Sequence, residues 1–443
     1  MESNHKKMGV VQLTILTAVN MMGSGIIMLP AKLASVGTIS VLSWLVTAVG
    51  SMALAYCFAQ CGMFTKDSTG GMGAYADVAF GKSGNFICNY TYGFSLIIAN
   101  VAIAISAVGY GTTFLGMDLD AVGVGVATIA LLWITAVLNF GGAEYTGRIG
   151  SVTVWGVIIP VVGLSIFGWI WFDPDLYVAS WNPSNLPFSD AVLSSITLTL
   201  WSFLGLESAC ANSDAVENPE KNVPIAVLGG TLGAAIVYIA STNVMAGIVP
   251  VEQIAISNAP FGLVFAQIFS PIVGQAVMGL MCLACIGSLL GWQFTTAQVL
   301  KSSADVGYFP KIFKKVTKAN APIIGMTIMT VVETIIAFAT ISPSLMEQFS
   351  QIVDLAVVTN LVPYVLSMAA LPAILSMANV SKSKKMSVAV PLLIATAYSF
   401  YALYACGLEA LAYGALVTFL GWTFYGSVAE RFERHNWKRD ALT

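Results

Sequence analysis

Apolar runs of about 20 residues recur along the whole chain, divided by short polar stretches. As a helix, each is long enough to cross a hydrocarbon core of about 30 Å. Twelve spans are predicted, the first five at 10–34, 38–62, 84–112, 122–141 and 149–172. A polar, proline-containing loop at 173–187 follows, then spans at 190–212, 223–249, 272–298, 324–342, 348–374, 387–406 and 410–429. The expected fold class is an all-α polytopic membrane protein. Two spans are interrupted within themselves. The first carries Gly23, Ser24 and Gly25 in a branched apolar helix, and the sixth carries Gly205, Glu207, Ser208 and Ala209. The interruptions lie five spans apart, which predicts two five-helix repeats of inverted topology whose unwound helices meet near the bilayer midplane. The expected organisation is a tail at 1–9, one repeat at 10–172, a second at 190–374, two peripheral helices at 387–429 and a tail at 430–443.

Charge orients these spans. Of 19 Lys and Arg, all but Lys32 fall in connections on one side, among them Lys66, Lys82, Arg148, Lys221, Lys301, Lys311 and Lys382. Lys32 stands near the outer end of the first span. Such a split follows the positive-inside rule, so both termini are expected in the cytoplasm. The opposite face carries Asp118, Asp120, Asp173, Asp175, Asp190, Glu252, Glu347 and Glu409. These are either ordinary solvated loop residues or a vestibule that gathers cations. The chain is 57% hydrophobic and 9% charged, against roughly 25% charged in soluble domains. Its net charge of −3 adds nothing, and no pattern suggests nucleic acid. Residues 1–8 precede an apolar run too long for a signal-peptide core and without a small-residue cleavage pattern. That run is read as an uncleaved first span.

The side chain that asks for an explanation is Glu207, in Trp201-Ser202-Phe203-Leu204-Gly205-Leu206-Glu207-Ser208. A carboxylate at membrane depth costs a few kcal/mol unless partnered, and no basic residue lies within helical reach. The natural partner is a cation from outside the protein, so the site is expected to take a small cationic amine. Amine binding and ionisation are then linked at Glu207. Trp201 and Trp292 can offer ring faces to an alkylammonium. Trp201 and Glu207 are six positions apart and converge only if the segment between them unwinds. Glu333 and Asp354 are further membrane acids away from any break, either functional or hydrogen-bonded inside the bundle.

Several motifs point elsewhere and are set aside. The segment ending Gly81-Lys82-Ser83 mimics a P-loop, but Ala76 stands where glycine belongs and a membrane span follows. Cys282 and Cys285 share a Cys-x-x-Cys spacing on a predicted span without a second pair or a nearby His, so packing is expected. His5 and His435 sit in the tails. No catalytic or metal constellation results, and no cofactor is expected. Gly229 and Gly233 form a small-xxx-small spacing that suits packing inside a monomer or a homodimer contact.

With Gly23-Ser24-Gly25 and Trp201…Gly205…Glu207 on the page, the chain resembles the amino acid–polyamine–organocation transporters, in particular the bacterial basic amino acid/polyamine antiporters. The likeness extends through Val10-Val11-Gln12-Leu13-Thr14-Ile15-Leu16-Thr17, Glu207-Ser208-Ala209-Cys210-Ala211-Asn212, Asn218-Pro219 with Val223-Pro224, and Gly291-Trp292-Gln293-Phe294. It implies twelve spans with a five-plus-five inverted-repeat core. Backbone groups at Gly23, Ser24 and Gly25 would hold an amino acid head group. Asn100, Trp201, Leu204, Glu207, Trp292 and Asn360 would contact substrate, and Tyr92, Cys210, Cys285 and Tyr425 are candidates to line the route. Asp77 stands where the resemblance leads one to expect Glu. The implied function is alternating-access exchange of external ornithine for internal putrescine, with proton-coupled putrescine uptake as a second mode. The alternatives are lysine/cadaverine or arginine/agmatine exchange, or purely proton-coupled diamine import. A channel would want a continuous polar lining, which these spans lack, and enzyme chemistry has no candidate residues.

Overall fold

The computed structural model describes residues 9–65, 71–207, 216–305, 307–317, 319 and 321–440, with side chains at all of these but 24, 219, 220 and 428–440. Its regular elements are helical: α1 (Val10–Met21), α2 (Ser24–Val36), α3 (Val41–Phe64), α4 (Gly71–Leu115), α5 (Ala121–Leu138), α6 (Ala143–Thr153), α7 (Trp155–Phe167), α8 (Pro174–Ala179) and α9 (Phe188–Trp201). They continue as α10 (Pro219–Ala246), α11 (Val251–Ala255), α12 (Pro260–Ile268), α13 (Pro271–Asp305), α14 (Ile323–Ala339), α15 (Leu345–Met377), α16 (Lys382–Ala405) and α17 (Gly407–Asp440). Among the described residues, nine helices are long and apolar enough to cross a membrane, and the pair α1 and α2, bent by 51°, makes a tenth.

Burial sorts these helices into a centre and a rim. The apolar stretch of α4 is 83% buried, whereas that of α16 is 28% and that of α17 is 17%. α4 packs along both α15 and α13, and α10 lies against α1 and α3. Outward faces stay apolar, with Ile236, Leu283, Phe338 and Phe419 exposed. A soluble protein does not show water an apolar surface of that extent; here it is a lipid-facing belt.

The two interruptions are helix breaks. α1 ends at Met21, Met22 takes φ −76° and ψ 73°, and the Gly23 N–H bonds back to the Met21 carbonyl at 2.9 Å. α9 ends at Trp201, and the chain then closes short turns: Phe203 N–H to the Leu200 carbonyl at 2.8 Å and Leu204 N–H to the Trp201 carbonyl at 3.2 Å. Gly205 has φ +107°, a left-handed conformation that a side chain would strain. The breaks abut. A Cβ on Gly25 would lie 3.0 Å from Ser202 Cα and from the Trp201 ring, and one on Gly205 would lie 3.0 Å from the Asn20 carbonyl oxygen.

Elsewhere the structure departs from the sequence expectation. The predicted span at 84–112 is the inner part of α4, which begins at Gly71 and kinks at Gly81 (φ 63°). The P-loop mimic is thus a helix kink. The connection at 250–271, which lies between two predicted spans, folds into α11 and α12, and the loop at 173–187 contains α8. Two of the outward acids act as helix caps: Asp120 accepts the Gly123 N–H at 2.8 Å and Asp173 accepts the Asp175 N–H at 2.9 Å. Of the small-xxx-small pair, Gly229 faces Thr14 of α1, while a Cβ on Gly233 would meet open space.

Candidate functional site

The breaks open onto a cavity of about 50 Å³, lined by Asn20, Met21, Gly23 and Gly25 on one side and Trp201, Leu204, Gly205 and Glu207 on another. α4 supplies Ser95, Leu96, Ala99 and Ile103, α13 supplies Trp292, and α15 supplies Asn360. Unwinding after Trp201 brings it and Glu207 to one wall, which six positions of straight helix would not do. The N–H groups that open α2 have no acceptor within their own helix, and they begin beside this space at Ser24.

Glu207 is 6% exposed, and three neutral donors hold its carboxyl. The Tyr92 hydroxyl of α4 donates to Oε1 at 3.0 Å, and the Tyr364 hydroxyl of α15 donates to Oε2 at 2.5 Å. The Gly205 N–H, freed from the helix by the break, donates to Oε2 at 3.1 Å. No lysine or arginine lines the cavity. Asn360 Nδ2 donates to Ser95 Oγ at 3.1 Å, and Ser95 Oγ donates to the Ala356 carbonyl at 3.1 Å. That leaves Asn360 Oδ1 and the Trp201 indole N–H buried without a protein partner. The lining therefore has an acid, a spare acceptor and two indole faces, a set suited to an ammonium on an alkyl chain.

Of the residues singled out in the sequence, Gly23, Gly25, Trp201, Leu204, Glu207, Trp292 and Asn360 line this one cavity. Others lie elsewhere. Asn100 is fully buried one residue behind Ala99, and its amide donates to Glu333 Oε1 at 2.8 Å. Tyr92 reaches the site through Glu207. Cys285 is buried on α13 and free; Cys282 is also free but only half-buried, and its thiol donates to the Ala107 carbonyl. Tyr425 stacks near Phe86, with ring centroids 5.3 Å apart, and is not on the cavity. The side chain of Ser24 and the whole of Cys210 lie outside the described residues. Sequence reasoning missed Tyr364, Ser95, Leu96, Ala99 and Ile103. Spacing was the available signal: 92, 96, 99 and 103 repeat at helical intervals on α4, and Asn360 and Tyr364 are one turn apart on α15.

The amino acid permease family model matches residues 8–421. This chain belongs to that family. Curated relatives agree along nearly all of the permease. It is 66% identical over 435 residues to the putrescine transporter PotE of Escherichia coli (strain K12), covering 98% of this chain and 99% of that protein. It is 63% identical over 433 residues to the protein of the same name from Haemophilus influenzae, with coverage of 98% and 99%. The cadaverine/lysine antiporter of Escherichia coli (strain K12) is more distant, 36% identical over 373 residues and 82% of each chain.

Proposed function

We propose that this permease exchanges external ornithine for internal putrescine by alternating access, and that it also takes up putrescine with a proton. The observation that carries the reading is Glu207, a buried carboxyl held by neutral donors at the junction of two helix breaks. The 66% identity to a putrescine transporter, against 36% to a cadaverine/lysine antiporter, supports the four-carbon amine over the five-carbon one.

Putrescine is ornithine without its carboxylate, so the two share a four-carbon span ending in an ammonium. Glu207 grips that ammonium, and the Trp201 and Trp292 rings with Leu204 sheath the methylenes. Asn360 Oδ1 accepts from the second amine. The N–H groups at Gly23, Ser24 and Gly25 face a carboxylate when ornithine is bound, as helix N-termini favour anions. An amine-free carrier leaves Glu207 without a countercharge, and reorientation in that state is costly, so the carrier crosses when loaded.

The same reading sets the frame. Each helix break lies in the first span of a five-span inverted repeat, at 10–172 and 190–374, with α16 and α17 peripheral. Twelve spans put both termini in the cytoplasm of a bacterial inner membrane. Counterflow tests the whole: vesicles preloaded with putrescine receive labelled ornithine, lysine, arginine or putrescine outside. Ornithine entry that requires internal putrescine supports the exchanger. Putrescine entry into empty vesicles along a proton gradient, with ornithine inert, replaces it with a proton-coupled diamine importer. Lysine or arginine entering in place of ornithine reassigns the substrate pair.

A further inference from the structure

α4, α13 and α14 meet at a second buried acid. Glu333 of α14 is fully buried. Its Oε1 accepts from Asn100 Nδ2 of α4 at 2.8 Å, and its Oε2 accepts from Gln293 Nε2 of α13 at 3.0 Å. Gln293 Nε2 also reaches the Leu132 carbonyl of α5 at 3.2 Å. Asn100 Nδ2 lies 3.5 Å from Thr296 Oγ1, which donates to the Trp292 carbonyl at 2.7 Å. Two acceptors of the cluster, Asn100 Oδ1 and Gln293 Oε1, are buried with no donor.

Among the described residues, no cation answers this carboxyl. α5 has no ionisable residue. On α4 the ionisable residues are Tyr75, Asp77, Lys82, Cys88, Tyr90, Tyr92 and Tyr110, and on α13 they are Cys282, Cys285, Lys301 and Asp305. None lies within one turn of Asn100 or Gln293. The 3₁₀ turn Lys311–Lys314 packs on α14 with Phe313 beside Gly325 near the start of that helix, and Lys314 Nζ donates to the Asp305 carbonyl at 3.2 Å. Glu333 is ten positions past Ile323, about 15 Å along the axis. Among the described residues, what faces the Glu333 carboxyl is therefore two neutral amides.

A charge buried with neutral partners alone costs several kcal/mol, and a proton removes it. The cluster is built for either count. Ionised, the carboxylate takes one N–H on each oxygen. Protonated, its O–H needs an acceptor, and turning over either amide presents the carbonyl that now has no donor, while the other amide goes on donating. We propose that Glu333 is a proton-binding site of the carrier, taking a proton from water on one side of the membrane and releasing it to water on the other as the carrier turns over. No other bond changes in that step.

The location suits coupling. Asn100 follows Ala99, and Gln293 follows Trp292, both on the cavity wall. An amide that turns over on protonation alters the tie between α4 and α13 directly behind that wall. α4 also carries Tyr92, bonded to Glu207. One helix thus touches both acids, eight positions or about 12 Å apart.

The proposal rests on the transport reading above, and two measurements keep the two separable. Infrared difference spectra of the purified protein between neutral and acid pH read a protonated carboxyl directly, whether or not amine moves. Wild type and Glu207→Gln should share a titrating carboxyl C=O band that Glu333→Gln lacks; the same band persisting in Glu333→Gln overturns the proposal. In vesicles, Glu333→Gln should keep putrescine counterflow at equal pH while its stimulation by external acid falls about tenfold, within the range ordinary for coupled sites. An unchanged response to external acid also overturns it. If Glu333→Gln loses counterflow as well, Glu333→Asp decides: acid-stimulated uptake restored by that shorter carboxyl supports the site, and uptake indifferent to pH removes it. Absence of counterflow in the wild type itself would count against the exchanger and leave the infrared result standing on its own.

Discussion

Replacing Glu207 with Gln changes little in shape and removes the one charge on the cavity wall. The carboxylate accepts three hydrogen bonds, from Tyr92, Tyr364 and the Gly205 N–H. An amide keeps one oxygen for two of these donors at most and turns its NH₂ toward the third. Each bond to a charged acceptor is worth about 1.5–3 kcal/mol and each to a neutral one about 0.5–1.5. The empty carrier loses part of that difference and gains relief from a buried charge without a countercharge, and the two oppose each other. Bound amine has no such compensation. Removing one member of a buried pair costs about 3–5 kcal/mol, which at 1.4 kcal/mol per decade is about 10²–10⁴-fold in affinity. Titration of purified protein with putrescine, beside thermal unfolding with and without the amine, separates the two states. The expected result is an unliganded Tm close to wild type, no shift on adding putrescine, and lost counterflow. A putrescine Kd within about threefold of wild type, less than 1 kcal/mol, would refute the pairing.

Other substitutions test the surroundings. Tyr364→Phe removes the hydroxyl 2.5 Å from Glu207; the unliganded Tm should fall, by the equivalent of about 1.5–3 kcal/mol, and an unchanged Tm would mean the contact carries no weight. Trp201→Leu keeps an apolar wall but loses a ring face worth about 0.5–2 kcal/mol to a cation, so the KM for putrescine exchange should rise about two- to thirtyfold with the protein folded normally. Gly205→Ala puts a side chain at φ +107° and 3.0 Å from the Asn20 carbonyl oxygen, so thermal unfolding should show a loss of about 1–3 kcal/mol. Gly81→Ala, at φ +63° with open space around it, should lose only the left-handed penalty of about 1–2 kcal/mol. Equal losses at the two sites would argue that the α1–α9 contact is loose.

The membrane helices were legible because lipid imposes a simple rule: a run of about 20 apolar residues becomes a helix with every backbone group paired inside it. The same rule is silent where protein replaces lipid. α11 and α12 are five and nine residues long, too short to register as spans, and they form because Pro250 and Pro260 start helical turns that bury Val251, Ile254, Phe261 and Val264 against larger helices. The predicted span at 149–172 is likewise α6 and α7, parted at Val154, where the Val157 N–H turns to the Val154 carbonyl at 3.1 Å. Pro160 withholds a donor from the next turn. Local composition hides such an interruption, since the chain from 154 to 162 stays apolar.

The site divides along a similar line. Glu207 and the glycine breaks announce themselves because an acid and flexible residues are anomalies in an apolar helix. Tyr364 and Tyr92 do not, since a tyrosine in a membrane helix is ordinary; each matters only because α15 and α4 bring it to a carboxyl 157 and 115 positions away in the chain. Asn100 is the instructive case. On resemblance it belongs to the cavity wall, but in the fold Ala99 takes the lining position and Asn100 turns one step further round α4, toward Glu333. A helix face is about 100° wide and successive residues turn by about that angle, so a neighbour in sequence becomes a back wall in space. The two acids therefore answer to neighbouring faces of one helix, about 80° apart: Tyr92 of α4 holds Glu207 at the cavity, Asn100 holds Glu333 behind it. On the proposal that Glu333 carries the proton, a rotation or tilt of α4 that loosens one hydrogen bond bears on the other, and this would tie the occupancy of the proposed amine site to the protonation of the acid behind it without any contact between substrate and Glu333.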